Sequence, residues 1–560
     1  MLAHTHWKLL PEAEKPLDHK GLHALVAKLL YNRGITNPTD AEIFLKADKR
    51  LSVDPYSLPD MHHAVNRVYK ALLSGEKIAI YGDFDADGIT ATALLVQGLN
   101  EMGGDAIPYI PHRQNEGYGL KIPAMEKLRK QGVSLVITVD TGITAFDEIE
   151  KSHKMGLEVL VTDHHEPLEK LPSARIIVDP KRTDSECAFK EFAGVGVAYK
   201  LLQALLTSSS KESLLNSSLE LVALGTIADM SPLQSENRHL VKSGLHLLNK
   251  TKRLGLEELF NVANIQKGKL TTETVSYQLG PRLNSAGRLD DAGTSYQLLV
   301  TQDREQAKKL ALELEEKNKE RQRLVLETYE KARAQVMQDG ADRPLLMVCD
   351  SDYPAGVIGL VAGRLADEFY RPVIMVKIGS ETCRGSARSI QEFDLMAALK
   401  SCDHLLTKYG GHARAAGFNV HTRDLNQLQK NLRLLATEQL TGLDLRPHIN
   451  IDAEVSLGVF SKGVFEDIQR LEPYGMGNPS PVFLSRKVEV VEQKLVGGQS
   501  DHIKLKLKQD GIIWDTIGFR LGNYIGDLSR HIDVVYNVEV DHFNGKEQLQ
   551  INLLDFTRSY

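Results

Sequence analysis

KIAIYGDFDADGIT, Lys77–Thr90, joins a short apolar run to three carboxylates spaced two residues apart. The run KIAIYG has the length and apolar content of a buried strand. The segment that follows, TATALLVQGLNEMG, has helical spacing. Asp83, Asp85 and Asp87 therefore fall where a strand turns into a helix. In an extended segment the three side chains lean to one side, and Gly88 would let the chain bend sharply into the helix.

Four more apolar runs share this form: AIPYI (106–110), SLVITVD (134–140), LEVLVTD (157–163) and RIIVDP (175–180). Helical patterns such as AMEKLRKQG separate several of them. Strand and helix in alternation predict an α/β fold, a parallel sheet with helices on both faces. Ligands of such folds gather at the C-terminal ends of the strands.

Working outward, residues 1–75 read as small helices forming an N-terminal cap, and 76–300 as the sheet domain. QDREQAKKLALELEEKNKERQRLVLETYEKARAQVMQ (302–338) holds neither Gly nor Pro and predicts one long charged helix, so 301–340 is expected to connect two domains. PLLMVCD, GVIGLVAGRLADEF and RPVIMVKIG predict a second α/β unit over 341–446. Five strand patterns in 447–560 predict a small β-barrel, an OB-fold.

Composition narrows the class. A net charge of −6, from 68 basic and 74 acidic residues, excludes a protein coated in basic charge but leaves room for a local positive groove. The four cysteines form no CxxC pair, which fits a reducing cytosol better than a disulfide framework or a zinc site. No apolar run of about 18 uncharged residues predicts a membrane span, and MLAHTHWKLLPEAEKP lacks the apolar core of a secretion signal. A cytoplasmic location is expected. GVGVAYK (194–200) lacks the third glycine of a dinucleotide site, and no GxxxxGK[ST] occurs, so neither a nucleotide cofactor nor an ATP-driven motor is expected.

The chemistry is carried by acids at strand ends. Asp140 closes SLVITVD; Asp163, His164, His165 and Glu166 close LEVLVTD; Asp229 closes the apolar helix ELVALGTIADMSPL. Parallel strands would bring these groups to one sheet edge. Carboxylates crowded there repel unless a cation lies among them, and a divalent ion serves directly. Oxygen ligands with an imidazole favour Mn²⁺ or Mg²⁺ over zinc. The set is large enough for two ions about 3.5–4 Å apart, an arrangement that activates water and steadies the leaving oxygen of a phosphoryl ester. Asp140 is the choice for a bridging ligand.

DFDADG, VD at 139–140, DHH at 163–165 and GTIADMSPL resemble, in order and spacing, the four motifs of the DHH phosphoesterase superfamily. YGGHARAAG (409–417) resembles the glycine-rich motif of the DHH-associated domain. PHRQNEGYGL (111–120), LGPRLNSAGRLDDA (279–292), RGSARSI (384–390) and LEPYGMGNPSPVF (471–483) are similar to the RecJ branch, single-strand-specific 5′→3′ DNA exonucleases. The resemblance runs from about residue 45 to the C-terminus. It implies metal ligands at Asp85, Asp87, Asp140, His164 and Asp229, with Asp83 and Asp163 supporting them. His165 would stand near the scissile phosphate. One departure is DYPAGVIG: the family usually carries His or Trp shortly before GVIG, and here Tyr353 would be a packing aromatic.

Substrate groups follow from residue type and from the same resemblance. Arg384, Ser386 and Arg388 in RGSARS, Gly410, Gly411 and His412 in GGH, and Arg288 in SAGR can bind phosphate. The resemblance places these motifs across a cleft from the metals, holding the 5′ end. Arg113 and Tyr118 can grip a phosphate and stack on a base. In the barrel, Lys504, Lys506 and Lys508 share one strand face, and Trp514, Phe519 and Phe543 are stacking candidates.

The function expected is a Mn²⁺- or Mg²⁺-dependent, single-strand-specific 5′→3′ exonuclease of repair and recombination, releasing 5′-mononucleotides. The alternatives are a DHH phosphodiesterase of short oligonucleotides or cyclic dinucleotides, and a non-catalytic single-strand-binding replication scaffold. The intact ligand set argues against the scaffold, and the barrel against a small substrate. Single-stranded DNA is the expected partner; the resemblance adds single-strand-binding protein and a RecQ-type helicase.

Overall fold

The computed structural model describes residues 5–12, 21–113, 115–207, 211–498, 500–541 and 548–559. They form two compact units: Val53–Ser231 with Ser243–Arg446, and the described residues up to Ser52 with Pro232–Lys242 and Pro447 onward.

The first unit is built on a five-stranded sheet, all parallel, in the order Asp105–Tyr109, Lys77–Gly82, Val133–Val139, Glu158–Thr162, Ile176–Val178. The three inner strands are buried on both faces, which is why they read as unbroken apolar runs. Ala79, Tyr81, Val136, Val159, Val161 and Ile177 pack against the helices Ile122–Lys130 and Phe146–Lys154. The helices Ala86–Glu101, Gly194–Leu206 and Glu212–Ala228 pack together as a second group. Because the strands are parallel, Asp83, Asp140, Asp163 and Asp179 all leave the same edge.

Helix Arg304–Asp339 is continuous over 36 residues, roughly 54 Å at the α-helical rise. Asp303 caps its start by accepting from Gln306 N at 3.0 Å, and Gly340, at φ 104°, ends it. Its burial rests less on leucines than on small and polar residues: Ala307, Ala311, Asn318, Thr328 and Ala332 are buried while Leu326 is exposed. The first half packs on the helices Leu254–Val262, Gly280–Leu289 and Gly293–Val300, the second on helix Ile358–Phe369 and strand Leu346–Asp350. That strand edges a second five-stranded sheet, ordered Leu406–His412, Ala415–His421, Thr382–Arg388, Val373–Lys377, Leu346–Asp350. Tyr353 is buried, its hydroxyl donating to Gln335 Oε1 at 2.8 Å, and so takes the packing role read for it.

In the second unit five strands, Phe483–Val496, His502–Gln509, Ile512–Gly518, Gln548–Arg558 and His531–Asp541, close into a barrel because the first pairs with the last. The segment 1–75, expected to form one helical cap, contributes to both units. Its stretch His6–Leu9 is a strand paired in parallel with His448–Ile451. A partner so distant along the chain leaves no trace in local periodicity.

LEPYGMGNPSPVF also finds a role here. Asn478 donates from Nδ2 to Leu471 O (2.9 Å) and Pro473 O (2.8 Å) and accepts from Arg33 Nε at 2.7 Å. The fully buried Arg238 lies over the Phe44 ring and donates to the carbonyls of Phe44, Glu472, Arg470 and Pro473. A buried guanidinium that satisfies four carbonyls is costly to lose, because the acceptors stay buried without donors. Arg238→Ala should cost about 3 kcal/mol or more, read as a lower urea midpoint.

Candidate metal centre

The loop after strand Lys77–Gly82 does not stay extended. Asp85 is the N-cap of helix Ala86–Glu101, its Oδ1 accepting from Asp87 N (3.0 Å) and Gly88 N (3.2 Å). Asp87 already lies in the first helical turn. The three acids therefore diverge through the strand-to-helix turn rather than leaning one way. Gly88 is needed for proximity and not for a bend: a Cβ there would stand 2.5 Å from Asp83 O and 2.6 Å from Asp83 N.

Three groups of ligand atoms result, each with all atoms within 4.8 Å of one another: Asp83, Asp85 and Asp140; Asp87, His164 and Asp229; and Asp140, His164 and His165. Asp140 and His164 belong to two groups each. Asp83, read as supporting, stands in a ligand group, and its buried Oδ1 has no hydrogen-bond partner.

Each side chain is aimed by a specific contact. Asp140 follows its strand in a left-handed conformation, φ 59°, and a Cβ on Gly194 would come within 2.5 Å of Asp140 Cβ. Asp87 is held by the start of helix Gly194–Leu206, accepting from Gly194 N at 2.6 Å and Val195 N at 2.8 Å. The GVG rejected as a dinucleotide site thus binds a carboxylate of the chain itself. His164 Nδ1 lies 2.9 Å from Phe192 O. A carbonyl only accepts, so Nδ1 carries the proton and Nε2 faces Asp140 Oδ1 (3.0 Å) and Asp87 Oδ2 (3.8 Å). Burial lowers the His164 pKa and favours the neutral ring. A lone pair aimed at carboxylates calls for a cation between them.

Asp163 is different, as expected of a supporting group. Oδ2 accepts from Ile143 N (2.9 Å); Oδ1 accepts from His164 N (2.8 Å), His165 N (3.3 Å) and His165 Nδ1 (2.7 Å). Against its burial, the His165 charge and hydrogen bond lower Asp163 to about 2. His165, against its own burial, rises to about 9 through Asp163. Asp83 is pushed up to about 8 by burial and then by Asp85, and burial with neighbouring acids raises Asp87 and Asp140 as well.

Around this centre the second sheet brings basic and polar groups. Strand Thr382–Arg388 alternates, turning Cys383 and Ala387 into the core and leaving Arg384, Ser386 and Arg388 on the other face. Helix Ile358–Phe369 starts beside them: a Cβ on Gly359 would lie 2.9 Å from Ser386 Oγ and 3.5 Å from Arg388 Nη2. Arg113 lies over the Phe84 ring at 4.7 Å, and Arg288 donates to Gly356 O at 3.4 Å. Burial lowers the Arg288 pKa, and Arg113, Arg321 and Arg388 lower it further; among these Arg321, from the long helix, was not read from the sequence. The His412 ring lies 6.5 Å from His165, nearly parallel, at the end of the hairpin strand that carries Gly410 and Gly411. Tyr118, 40% exposed, sets its hydroxyl 3.5 Å from His165 Nδ1.

The barrel residues divide. Lys504, Lys506 and Lys508 alternate outward from the buried Ile503, Leu505 and Leu507, but Lys506 pairs with Glu492 at 2.8 Å. Trp514 is not a stacking platform: it pairs opposite the inward Leu507, is 7% exposed and packs edge-on against Phe460. Phe519 is exposed, and Phe543 lies outside the described residues.

Besides Arg321, sequence reading missed three groups beside the acids. Gly194 and Val195 anchor Asp87. Asn284 accepts from Ala86 N at 2.8 Å. Asp179, fully buried beside Asp163 with Oδ2 unpartnered, is raised to about 8 by burial and Asp163; its place at the end of RIIVDP was the available signal.

Without metal, the folded chain holds protons on Asp83 up to about pH 8 that an unfolded aspartate releases near pH 4. Since the folded state binds more protons, stability falls as pH rises through this window. His165, protonated to about 9 against an ordinary value near 6.5, acts in the same direction at the upper end. Thermal melts in EDTA should show a melting temperature that drops from about pH 5 to about pH 8, and Mn²⁺ should raise it most at the upper end.

Residues 77–226 match the DHH family N-terminal domain, 342–438 the DHHA1 domain and 451–555 the RecJ OB domain. A single-stranded-DNA-specific exonuclease RecJ of Bacillus subtilis is 37% identical, over 95% of this chain and 67% of the relative. The Haemophilus influenzae protein of the same description is 34% identical over 98% and 99%. The crystal structure of RecJ in complex with Mn²⁺ from Thermus thermophilus superposes with a TM-score of 0.83 at 28% identity, covering 100% of this chain and 80% of that one; the complex with Mg²⁺ gives 0.78. Three matching domains in order, and relatives this similar along nearly the whole chain, place the protein in the RecJ family.

Proposed function

We propose that the chain is a divalent-metal-dependent exonuclease that degrades single-stranded DNA from its 5′ end and releases 5′-mononucleotides. The observation that carries this reading is the pair of ligand groups joined through Asp140 and His164, with a face of arginines beside them. The donors fit Mn²⁺ or Mg²⁺: carboxylate oxygens, one imidazole and the unpartnered Asp83 Oδ1. Asp85, Asp140 and Asp83 would hold one ion; Asp87, His164 and Asp229 the other; Asp140 would serve both. Bound there, the ions neutralise the buried acids, polarise the phosphodiester and lower the pKa of the attacking water.

The chain's own residues do the rest. Arg113, Arg288, Arg388 and Ser386, with the start of helix Ile358–Phe369, hold the terminal 5′-phosphate. Gly410, Gly411 and His412 border the bound nucleotide from the second sheet. His165, kept protonated by Asp163, has Nε2 free to donate to the scissile phosphate or to the departing 3′-oxygen. Water attacks phosphorus, the P–O3′ bond breaks and the 3′-oxygen takes a proton. The shortened strand carries a new 5′-phosphate, ready for the same arginines. Lys504 and Lys508 on the barrel's outer face offer phosphate contacts further along the strand. The reading places the enzyme in the cytoplasm, in repair and recombination, beside a separate RecQ-type helicase and single-strand-binding protein.

Digestion of 5′- and 3′-labelled single and double strands with Mn²⁺, Mg²⁺ or EDTA tests it. Labelled mononucleotide should appear at once from the 5′-labelled single strand, only after shortening fragments from the 3′-labelled one, not from double strands, and should vanish in EDTA. Action on dinucleotides with none on long strands would instead indicate a phosphodiesterase of small diesters. Asp140→Ala should lower kcat by about a thousandfold or more, since it removes a ligand shared by both ions; full activity in this variant would refute the two-metal account. Arg388→Ala should raise KM for a 5′-phosphorylated strand by roughly tenfold, the worth of a charge-assisted hydrogen bond, and change KM for a 5′-hydroxyl strand little.

A further inference from the structure

We infer that Asn284 is a positioning residue of the metal centre, one that keeps the second oxygen of Asp85 available to a divalent ion. The inference rests on the reading of Asp85 as a ligand.

A helix begins with N–H groups that have no partner within it. At the start of Ala86–Glu101 these are met in an unusual division of labour. Asp85 Oδ1 accepts from Asp87 N and Gly88 N, at 3.0 and 3.2 Å. The Asp85 carbonyl accepts from Ile89 N at 2.8 Å. The remaining donor, Ala86 N, is taken by Asn284 Oδ1 at 2.8 Å, from a helix 198 residues further along the chain. Asp85 Oδ2 is thereby left out of the capping scheme, on a carboxylate that stands in one group with Asp83 and Asp140.

Asn284 is not a loose surface contact. Its helix, Gly280–Leu289, approaches the metal loop so closely that a Cβ on Gly287 would stand 2.4 Å from Phe84 O. One residue on, Arg288 O would lie 2.3 Å from a Cβ on Gly356. The helix that carries the asparagine is therefore fixed against two neighbouring loops. Without its acceptor, Ala86 N–H would be buried and unsatisfied, as Ala86 is fully buried. The adjacent Asp85 carboxylate is the group able to turn toward it, and doing so would withdraw the ligand oxygen.

The test is Mn²⁺ binding to the metal-free full-length chain, followed by electron paramagnetic resonance, with no substrate present. Asn284→Ala should weaken one of the two ions by about tenfold or more, whereas Asn284→Asp, which keeps an acceptor, should stay within about threefold of the parent. Asp85→Asn is the control for the underlying reading and should lose one ion. If Asp85→Asn binds both ions as the parent does, the ligand reading fails. If it loses one while Asn284→Ala binds normally, the positioning role is overturned. Equal weakening in Asn284→Asp and Asn284→Ala overturns it too, because the acceptor would then not be what matters.

Discussion

Charge crowding at one sheet edge governs this molecule. Asp83, Asp87, Asp140 and Asp163 are all buried there. Two unit charges about 4 Å apart repel by roughly 4 kcal/mol at the effective dielectric of a protein site. No fold keeps four such groups ionised without compensation. The chain saturates Asp163 from within and leaves lone pairs of the others for a cation; Asp87 accepts from Gly194 N and Val195 N yet still stands in a group with His164 and Asp229. Asp163 is saturated with N–H donors and falls in pKa. Asp83 keeps an Oδ1 without a partner and Asp140 faces Nε2 of His164; burial with their neighbours raises both.

The surrounding packing serves this arrangement. Backbone and side chains approach the acids at distances that exclude a methyl group: Gly88 against Asp83, Gly194 against Asp140, and Gly225 with 2.9 Å between a would-be Cβ and Asp87 Oδ1. Asp140 adopts a left-handed conformation, a local strain of about 1–3 kcal/mol that only a fixed environment sustains. Helices that carry no ligand act as donors or acceptors, Gly194–Leu206 through its free N–H groups and Gly280–Leu289 through Asn284 Oδ1.

The acids of the sheet edge were legible because they stand at the ends of apolar strands, a position that local pattern reveals. Asp140 after SLVITV and Asp163 after LEVLVT need only the strand period and the parallel connection to be placed on one edge. The arginines of RGSARS were legible for a similar reason, since alternation along one strand sets them on a common face. Trp514 shows where this logic ends. Period two says that it shares a face with Thr516, but which face is inward depends on pairing with Leu507 and on the closure of the barrel. The strand His6–Leu9 and the capping role of Asn284 were hidden likewise, since each depends on a partner hundreds of residues away.

By itself the sequence determined the parallel sheet, the long helix, the barrel and the inventory of acids and imidazoles, because those follow from short-range periodicity and residue type. Tertiary structure alone decided how the charges are apportioned. Whether a carboxylate meets N–H groups or another carboxylate depends on how turns and helices close around it: Asp163 is met by Ile143 N and by the two histidines that follow it, Asp87 by the start of helix Gly194–Leu206. Hence Asp83, alike in sequence to its neighbours, joins a ligand group, while the equally buried Asp163 is consumed by donors.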